Sequence, residues 1–138
     1  MYLVKILAKK SEIDGMGVFA EERIEKGTIV WKFEPTHDCV LTVAELQSLN
    51  QEQKENLKRV AYLSATTGNY VFPPEGDPAN FTNHSVDKNN LTVHVDLHTS
   101  LEPYFVANRD IEVGEEITNN YHEFDEAIKL QSTKPQWL

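Results

Sequence analysis

The chain has 138 residues, of which 40 % are hydrophobic, so it can fold around one core but is short for several domains. Its 13 Lys and Arg residues against 22 Asp and Glu give a formal charge of −9, which disfavours binding to nucleic acid or anionic lipid. The single cysteine, Cys39, excludes an internal disulfide and a zinc site made of several thiolates.

The pattern of apolar residues predicts a mainly β chain with a helical insert. In chain order, the predicted strands cover residues 2–9, 18–20, 29–33, 70–72, 91–97, 104–107 and 117–121. Between the third and fourth strands, two capping-box spacings predict helices over 43–49 and 51–63. Prolines and a glycine within 73–78 predict a loop after the fourth strand.

A weak internal repeat relates the two halves of the chain. Four residue types recur with identical spacing between apolar runs, at Ala20, Ile24, Glu25 and Gly27 and again at Ala107, Ile111, Glu112 and Gly114. Each glycine stands where a turn would need a positive φ. The repeat therefore predicts two similar hairpin-like corners in a compact set of sheets.

Three short motifs carry most of the functional information. They are Gly15-Met16-Gly17, the segment 81–89 that contains Asn83-His84-Ser85, and the segment 114–121 that ends on Tyr121. Each motif alone has an ordinary structural interpretation, as a turn, as local backbone bonding or as a core ring at a strand end. Their order and spacing in one short chain carry more weight than any of them singly.

Taken together, the motifs resemble those of SET domains, the small β-rich domains of protein lysine methyltransferases. That family carries, in order, a Gly-x-Gly loop, a Phe-x-Asn-His-Ser-x-x-x-Asn segment and a Gly-Glu-Glu-hydrophobic-Thr-x-x-Tyr segment. Here these correspond to residues 15–20, 81–89 and 114–121. The resemblance implies a β-clip-like fold of several small sheets with a knot-like C-terminal core.

The resemblance also implies a domain plan for residues 1–138 as one SET domain. Its parts would be an N-terminal β part over 1–36, the helical insert over 37–79, a C-terminal core over 80–124 and a tail over 125–138. The core would contain the second and third motifs. Three departures from the family pattern are Val86, Lys88 and Asn119. Asn119 stands where many members carry Tyr or Phe, which leaves the number of methyl groups added undetermined.

Site residues follow from the same resemblance. The residues that would bind S-adenosylmethionine are Gly15, Met16, Gly17, Asn83, His84 and Tyr121. Tyr121 would also be the catalytic residue, at the neck of a narrow channel through which the substrate lysine reaches the methyl group. Alignment of the amine with the methyl group in a dry channel would accelerate the transfer, and no metal ion or covalent nucleophile is required.

Four apolar residues near the end of the chain are candidates for the channel wall: Phe124, Ile128, Leu130 and Trp137. Trp137 would either cover the cofactor as a flat lid or dock on the core like many terminal tryptophans. The sequence does not distinguish these two arrangements.

One further feature lies outside the family pattern. His94, Asp96 and His98 alternate along the predicted strand 91–97 and would project from one face. The row is either a metal-binding set or the solvated polar face of a half-buried strand.

The sequence therefore predicts S-adenosylmethionine-dependent methyl transfer to a lysine of a basic protein or histone-like tail. The chain contains neither an apolar run of about 20 residues nor an N-terminal signal peptide pattern, so we expect a soluble intracellular protein. Two alternatives remain: an inactive SET module that serves as a protein-interaction domain, and a β-rich adaptor whose motif matches are coincidental. Nucleic acid and membrane are not expected as partners, and the oligomeric state is not predicted.

Overall fold

The computed structural model describes residues 1–126, which form three small sheets with two helices and two short 3-10 helices. The strands are β1 (Ile6–Lys10), β2 (Met16–Ala20), β3 (Ile29–Lys32), β4 (Cys39–Leu41), β5 (Tyr62–Leu63), β6 (Tyr70–Phe72), β7 (Asn83–His84), β8 (Leu91–His94), β9 (Tyr104–Ala107) and β10 (Glu116–Asn119). The helices are α1 (Val43–Gln47) and α2 (Gln51–Val60), and the 3-10 helices cover Pro78–Phe81 and Tyr121–Glu123.

The sheets join parts of the chain that are far apart in sequence. The four-stranded sheet has the order β1-β2-β10-β7, with β10 antiparallel to β2 and parallel to β7. The two three-stranded sheets have the orders β3-β9-β8 and β4-β6-β5. The predicted class, mainly β with several small sheets and a helical insert, is confirmed.

The internal repeat corresponds to two corners that bond each other. Ile24 and Ile111 form an isolated antiparallel bridge and exchange both backbone hydrogen bonds, each 2.8 Å long. The glycine N–H of each repeat donates to the alanine carbonyl of the other, also at 2.8 Å. Gly27 and Gly114 have φ of +92° and +89°, a conformation that favours glycine. The predicted corners are therefore present, and they place β10 beside β2.

Two apolar clusters hold the sheets together. The larger cluster contains buried residues of all three sheets, namely Val18, Ala20, Ile24, Val30, Trp31, Tyr62, Val71, Leu91, Phe105, Ala107, Ile111 and Ile117. The smaller cluster packs the helical insert on β5 and β6 through Leu46, Ala61, Leu63 and Tyr70. Full burial of one large apolar side chain stabilises a fold by about 1.5–3 kcal/mol, so the insert is an integral part of this domain.

Both helices of the insert begin where the capping spacing predicts, and both end before the predicted residue. At the start of α2, the Asn50 side chain accepts the Gln53 N–H at 2.8 Å and the Gln53 side chain accepts the Asn50 N–H at 3.0 Å. The helix ends at Val60, so the prediction of helix through 63 was wrong. Residues 62–63 pair with β6 and bury both side chains, and this packing outweighs their helix propensity.

Several strand bounds differ from the prediction. The first strand covers 6–10 rather than 2–9. β8 ends at His94 rather than at 97, because Asp96 Oδ1 accepts the His98 N–H at 3.0 Å and begins a turn. His94, Asp96 and His98 therefore do not share one strand face. Within residues 1–126, no group of three or more His, Cys, Asp or Glu side chains is placed to hold a metal ion.

The C-terminal part contains two further corrections. Asn83–His84 lies outside every predicted strand but forms β7, which requires β10 as its partner. The last strand ends at Asn119, and Tyr121 instead begins a 3-10 helix whose first turn is capped by Asn120. No helix in the described part of the chain is long and apolar enough to cross a membrane.

Candidate active site

The candidate site forms where β7 lies parallel to β10. This pairing places Asn83 opposite Thr118 and His84 opposite Asn119, and the Ser85 N–H donates to the Asn119 carbonyl at 2.9 Å. β7 is the edge of its sheet, so the outer side of its backbone faces no strand among residues 1–126. The second and third motifs are therefore adjacent, with one backbone edge left open beside them.

The Asn83 side chain connects the first motif to the other two. Its Nδ2 lies 3.1 Å from the Met16 carbonyl, 3.2 Å from the Asp14 carbonyl and 2.8 Å from Glu116 Oε2. It also lies 3.1 Å from Ser11 Oγ, which itself donates to Glu116 Oε1 at 2.6 Å. Two amide hydrogens thus serve four acceptors. The Asn83 amide holds the Gly-x-Gly loop against β10.

The two glycines of the first motif have different roles. A Cβ on Gly17 would overlap the Glu116 carboxylate, 2.8 Å from its Cδ and 3.0 Å from Ser11 Cβ. Gly15 and Met16 are exposed, and Gly15 has a φ of +44° with open space where a side chain would begin. The loop therefore has one glycine packed against β10 and an exposed rim.

Tyr121 contacts His84 through both its ring and its backbone. The Tyr121 N–H donates to His84 Nδ1 at 3.0 Å, and the ring centroids lie 4.7 Å apart. A backbone N–H can only donate, so Nδ1 is the unprotonated nitrogen of this imidazole. Burial and the neighbouring His122 lower the pKa of His84 below its ordinary value of 6.5, which keeps this bond intact at neutral pH.

The Tyr121 hydroxyl is held in its neutral form. It donates to the Thr82 carbonyl at 2.5 Å, while the Tyr2 hydroxyl lies 2.7 Å from Thr82 Oγ1. Burial, followed by the charges of Asp125 and Asp14, raises the pKa of Tyr121 to about 12. Because its O–H donates to the Thr82 carbonyl, the phenol oxygen keeps its lone pairs for another donor.

A cavity of about 280 Å³ lies beside Tyr121. Its aromatic wall consists of Tyr2, Trp31, Tyr62, Phe72, Phe105, Tyr121 and Phe124. Asn119 also lines the cavity, is 8 % exposed, and has an Oδ1 without a hydrogen-bond partner in the described part of the chain. A buried acceptor without a partner costs about 1–3 kcal/mol, so a donor that enters the cavity is favoured there.

Charged groups lie at two places on the cavity wall. Asp125 is buried, and its Oδ1 accepts the Leu63 N–H at 3.0 Å. Lys58 and Arg59, at the end of α2, are the only exposed residues among the described ones that line the cavity. We call the exposed rim of the cavity formed by Lys58 and Arg59 its mouth.

The structure brings the six predicted site residues into one region, in two adjoining groups. Gly15, Met16, Gly17 and the Asn83 side chain form the first group, and His84 with Tyr121 forms the second. Tyr121 lines the cavity, and the other five do not. Phe124, a predicted wall residue, also lines it. The other three predicted wall residues, Ile128, Leu130 and Trp137, lie outside the described residues.

Sequence reasoning missed most of the cavity wall. Tyr2, Trp31 and Tyr62 come from distant segments that share no spacing signal. Glu116 was part of the third motif, but nothing in the sequence connected its carboxylate to Asn83. The sequence did contain one signal for the cavity wall, Asn119, which is a polar residue where many family members carry Tyr or Phe. It was interpreted only as a departure from the family pattern.

Comparison with known proteins identifies the family. The family model of the SET domain matches residues 15–122. This chain belongs to the SET domain family. Histone-lysine N-methyltransferase trr of Drosophila melanogaster is 29 % identical over 114 residues, and Histone-lysine N-methyltransferase 2D of Homo sapiens is 28 % identical over 120 residues. These alignments cover 81 % and 84 % of this SET domain chain but only 4 % and 2 % of those relatives.

Solved structures share the fold of this SET domain. Chaetomium thermophilum Polycomb Repressive Complex 2 bound to GSK126 superposes with a TM-score of 0.67 over 96 % of this chain and 18 % of that chain, at 24 % identity. CpSET8 from Cryptosporidium superposes with a TM-score of 0.60 over 87 % of this chain and 58 % of that chain, at 23 % identity. The predicted family and fold are thus confirmed.

Proposed function

We propose that this SET domain transfers a methyl group from S-adenosylmethionine to a lysine side chain of another protein. The observation that carries the proposal is the cavity beside Tyr121, where a phenol oxygen and Asn119 Oδ1 lie among aromatic walls. Its volume of about 280 Å³ falls just below the range of roughly 300–1,000 Å³ typical of small-molecule sites. The cavity therefore suits one long aliphatic amine, with the cofactor bound outside it.

Tyr121 orients the amine in this proposal. Its O–H donates to the Thr82 carbonyl, so its oxygen can accept an N–H of the amine or a polarised C–H of the methyl group. With a pKa of about 12, the phenol does not act as a base near neutral pH. The amine, with an ordinary pKa of about 10.4, must therefore lose its proton to water before it reacts. Alignment is the contribution of Tyr121 to the rate.

Asn119 receives a second N–H of the amine. Its buried Oδ1 faces no donor among residues 1–126, and it lines the same cavity as Tyr121. An entering amine would supply the missing donor and relieve the cost of the unsatisfied acceptor. The two oxygens together would fix the direction of the nitrogen lone pair.

The first motif and the outer edge of β7 fit S-adenosylmethionine. When bound, this cofactor would supply a methyl group on a positively charged sulfur. The neutral amine would attack the methyl carbon, the carbon–sulfur bond would break, and S-adenosylhomocysteine would leave. The exposed rim at Gly15 and Met16 and the open edge of β7 offer backbone groups to it. Gly17 and the Asn83 amide act indirectly, because they hold that rim in place. We propose that Gly15, Met16, His84 and Tyr121 contact the cofactor, and that Gly17 and Asn83 position these contacts.

The protein that carries the lysine is proposed from charge. A formal charge of −9 attracts basic proteins over long distances, and histone-like tails are one such class. The named relatives are histone-lysine methyltransferases, but this chain spans only 4 % and 2 % of their length. Their substrates support a protein lysine as the acceptor class.

Transfer of radiolabelled methyl groups from S-adenosylmethionine onto mixed basic proteins tests this function. We expect label on lysine, and we expect Tyr121→Phe to lower the rate by about 10²-fold, the typical cost of removing one aligned polar group from an active site. Tyr104→Phe is the matched control, because Tyr104 is a half-buried tyrosine that does not line the cavity. It should retain the parent rate.

Binding of S-adenosylhomocysteine separates the alternatives. A ligand at a hundredfold excess over its dissociation constant adds about 2.7 kcal/mol to the free energy of unfolding, so the Tm should rise. A rise in Tm without any methyl transfer would indicate an inactive module that only binds the cofactor. No rise at millimolar ligand would contradict the proposed cofactor site.

A further inference from the structure

We infer that the lysine accepted by this domain has acidic side chains beside it, because the mouth of the cavity carries two cations, Lys58 and Arg59. The inference rests on the proposed function and narrows its substrate class. It concerns the residues that flank the target lysine and leaves the chemistry at Tyr121 unchanged.

The two cations are available to a partner. Both lie in the last turn of α2, both are exposed, and neither forms an ion pair among residues 1–126. Glu55, one turn before them on the same helix, instead accepts the Gln51 Nε2–H at 3.1 Å. Cations at a helix C-terminus are favourable in themselves. Here both also line the cavity, at its exposed rim.

The polarity of the cavity changes between its wall and its mouth. On the wall, the Asn119 Oδ1 and the Tyr121 oxygen are acceptors that suit an amine head. At the mouth, the charges of Lys58 and Arg59 repel basic flanking residues and attract acidic ones. A lysine with an adjacent Asp or Glu is therefore complementary both to the acceptors on the cavity wall and to the cations at its mouth.

The preference of the mouth for acidic flanking residues differs from the preference of the whole domain for basic partners, which its net charge of −9 sets. The charge of −9 acts on a whole partner during encounter. At 0.15 M salt, exposed charges are screened beyond about 8 Å, so the groups at the mouth dominate once the lysine has entered. A basic protein can therefore be the partner while the methylated lysine lies in an acidic stretch of it.

A peptide series tests the inference. Each peptide carries one central lysine flanked by Glu, by Ala or by Arg, with compensating charges at its distant ends so that all have the same net charge. We expect kcat/KM for the Glu-flanked peptide to exceed that for the Ala-flanked peptide by about two- to fivefold per favourable pair, and the Arg-flanked peptide to be poorest. The difference should shrink in 0.5 M NaCl.

A pair of charge-reversed variants identifies the residues responsible. Lys58→Glu with Arg59→Glu should invert the order of the peptides. Lys5→Glu with Lys26→Glu is the matched control, since it changes the net charge equally at two exposed lysines that do not line the cavity. That control variant should rank the three peptides by kcat/KM in the same order as the parent protein does.

Fluorescence anisotropy of labelled peptides gives a readout that does not need turnover. Tighter binding of the Glu-flanked peptide, lost in the Lys58→Glu, Arg59→Glu variant, supports the inference even if no peptide is methylated. In that case the proposed function fails and the inference about the mouth stands. Equal binding of all three peptides, or an equal response of both double variants, would overturn the inference.

Discussion

Gly17 and Glu116 share one small space where β2 meets β10. The Glu116 carboxylate lies where a side chain on Gly17 would begin, and it is held there by Ser11 Oγ at 2.6 Å and by Asn83 Nδ2 at 2.8 Å. One glycine, one carboxylate and one amide thus connect the three motifs of the domain. The glycine of the first motif is required by packing against the third motif, in addition to any contact that it makes with a cofactor.

Gly17→Ala tests this packing. The added methyl must displace the Glu116 carboxylate from its bonds, and we expect a loss of about 1–3 kcal/mol in the free energy of unfolding, measured in urea. A Glu116→Ala background removes the carboxylate atoms nearest to the added methyl, so the loss should be smaller. An equal loss in both backgrounds would show that Glu116 is not the obstacle.

Asn83→Asp should make the free energy of unfolding decrease as pH rises from about 4 to 7. The new carboxylate would face Glu116, and like charges raise the pKa of one of them above its unfolded value of roughly 4. The folded state then binds more protons than the unfolded state, so stability falls as pH rises through that range. We expect a deficit of about 2–3 kcal/mol at pH 7 that shrinks near pH 4. Asn83→Ala, which removes the same amide but adds no charge, should show a weaker dependence on pH.

The His84–Tyr121 contact predicts a pH effect in the parent protein. The pKa of His84 is lowered in the folded state by burial and by His122, so the unfolded state binds the proton more readily. Its contribution to stability is therefore present above pH 6.5 and is lost as the pH falls through the folded pKa. The Tm should drop between pH 7.5 and 5.5 by more in the parent than in His84→Asn. Identical pH profiles would contradict this assignment.

Asn119→Leu should separate stability from activity. Removing a buried acceptor that has no partner should leave the free energy of unfolding unchanged or raise it by about 1 kcal/mol. If Asn119 receives the amine, the same change should raise KM for the lysine peptide. A destabilised variant with unchanged kinetics would indicate that Asn119 serves only the fold.

Features that depend on neighbouring residues were predictable from the sequence. The start of α2 follows from Asn50 and Gln53, which bond each other across one turn. The two corners follow from a repeated spacing that ends on a glycine at each turn. The motifs identified the family because their order and spacing can be read from the sequence without knowing which residues are in contact.

Features that depend on distant partners were not predictable. β7 has only two residues, and its strand conformation exists because β10 lies beside it. The end of α2 was placed too late because residues 62–63 pair with β6. Both errors arise from strand pairing between separate segments, 35 residues apart for β7 and β10 and 7 to 9 residues apart for β5 and β6. Local propensity does not contain such pairing.

The sequence by itself determined the family, the mainly β class and the residues of the three motifs, since these depend on residue type and order. Only the tertiary structure decided that the Asn83 amide holds the glycine loop, that Tyr121 lies on an aromatic cavity with Asn119, and that two cations stand at its mouth. The reason is physical: a cavity wall is built from side chains that folding brings together, and their distances in space are independent of their spacing along the chain.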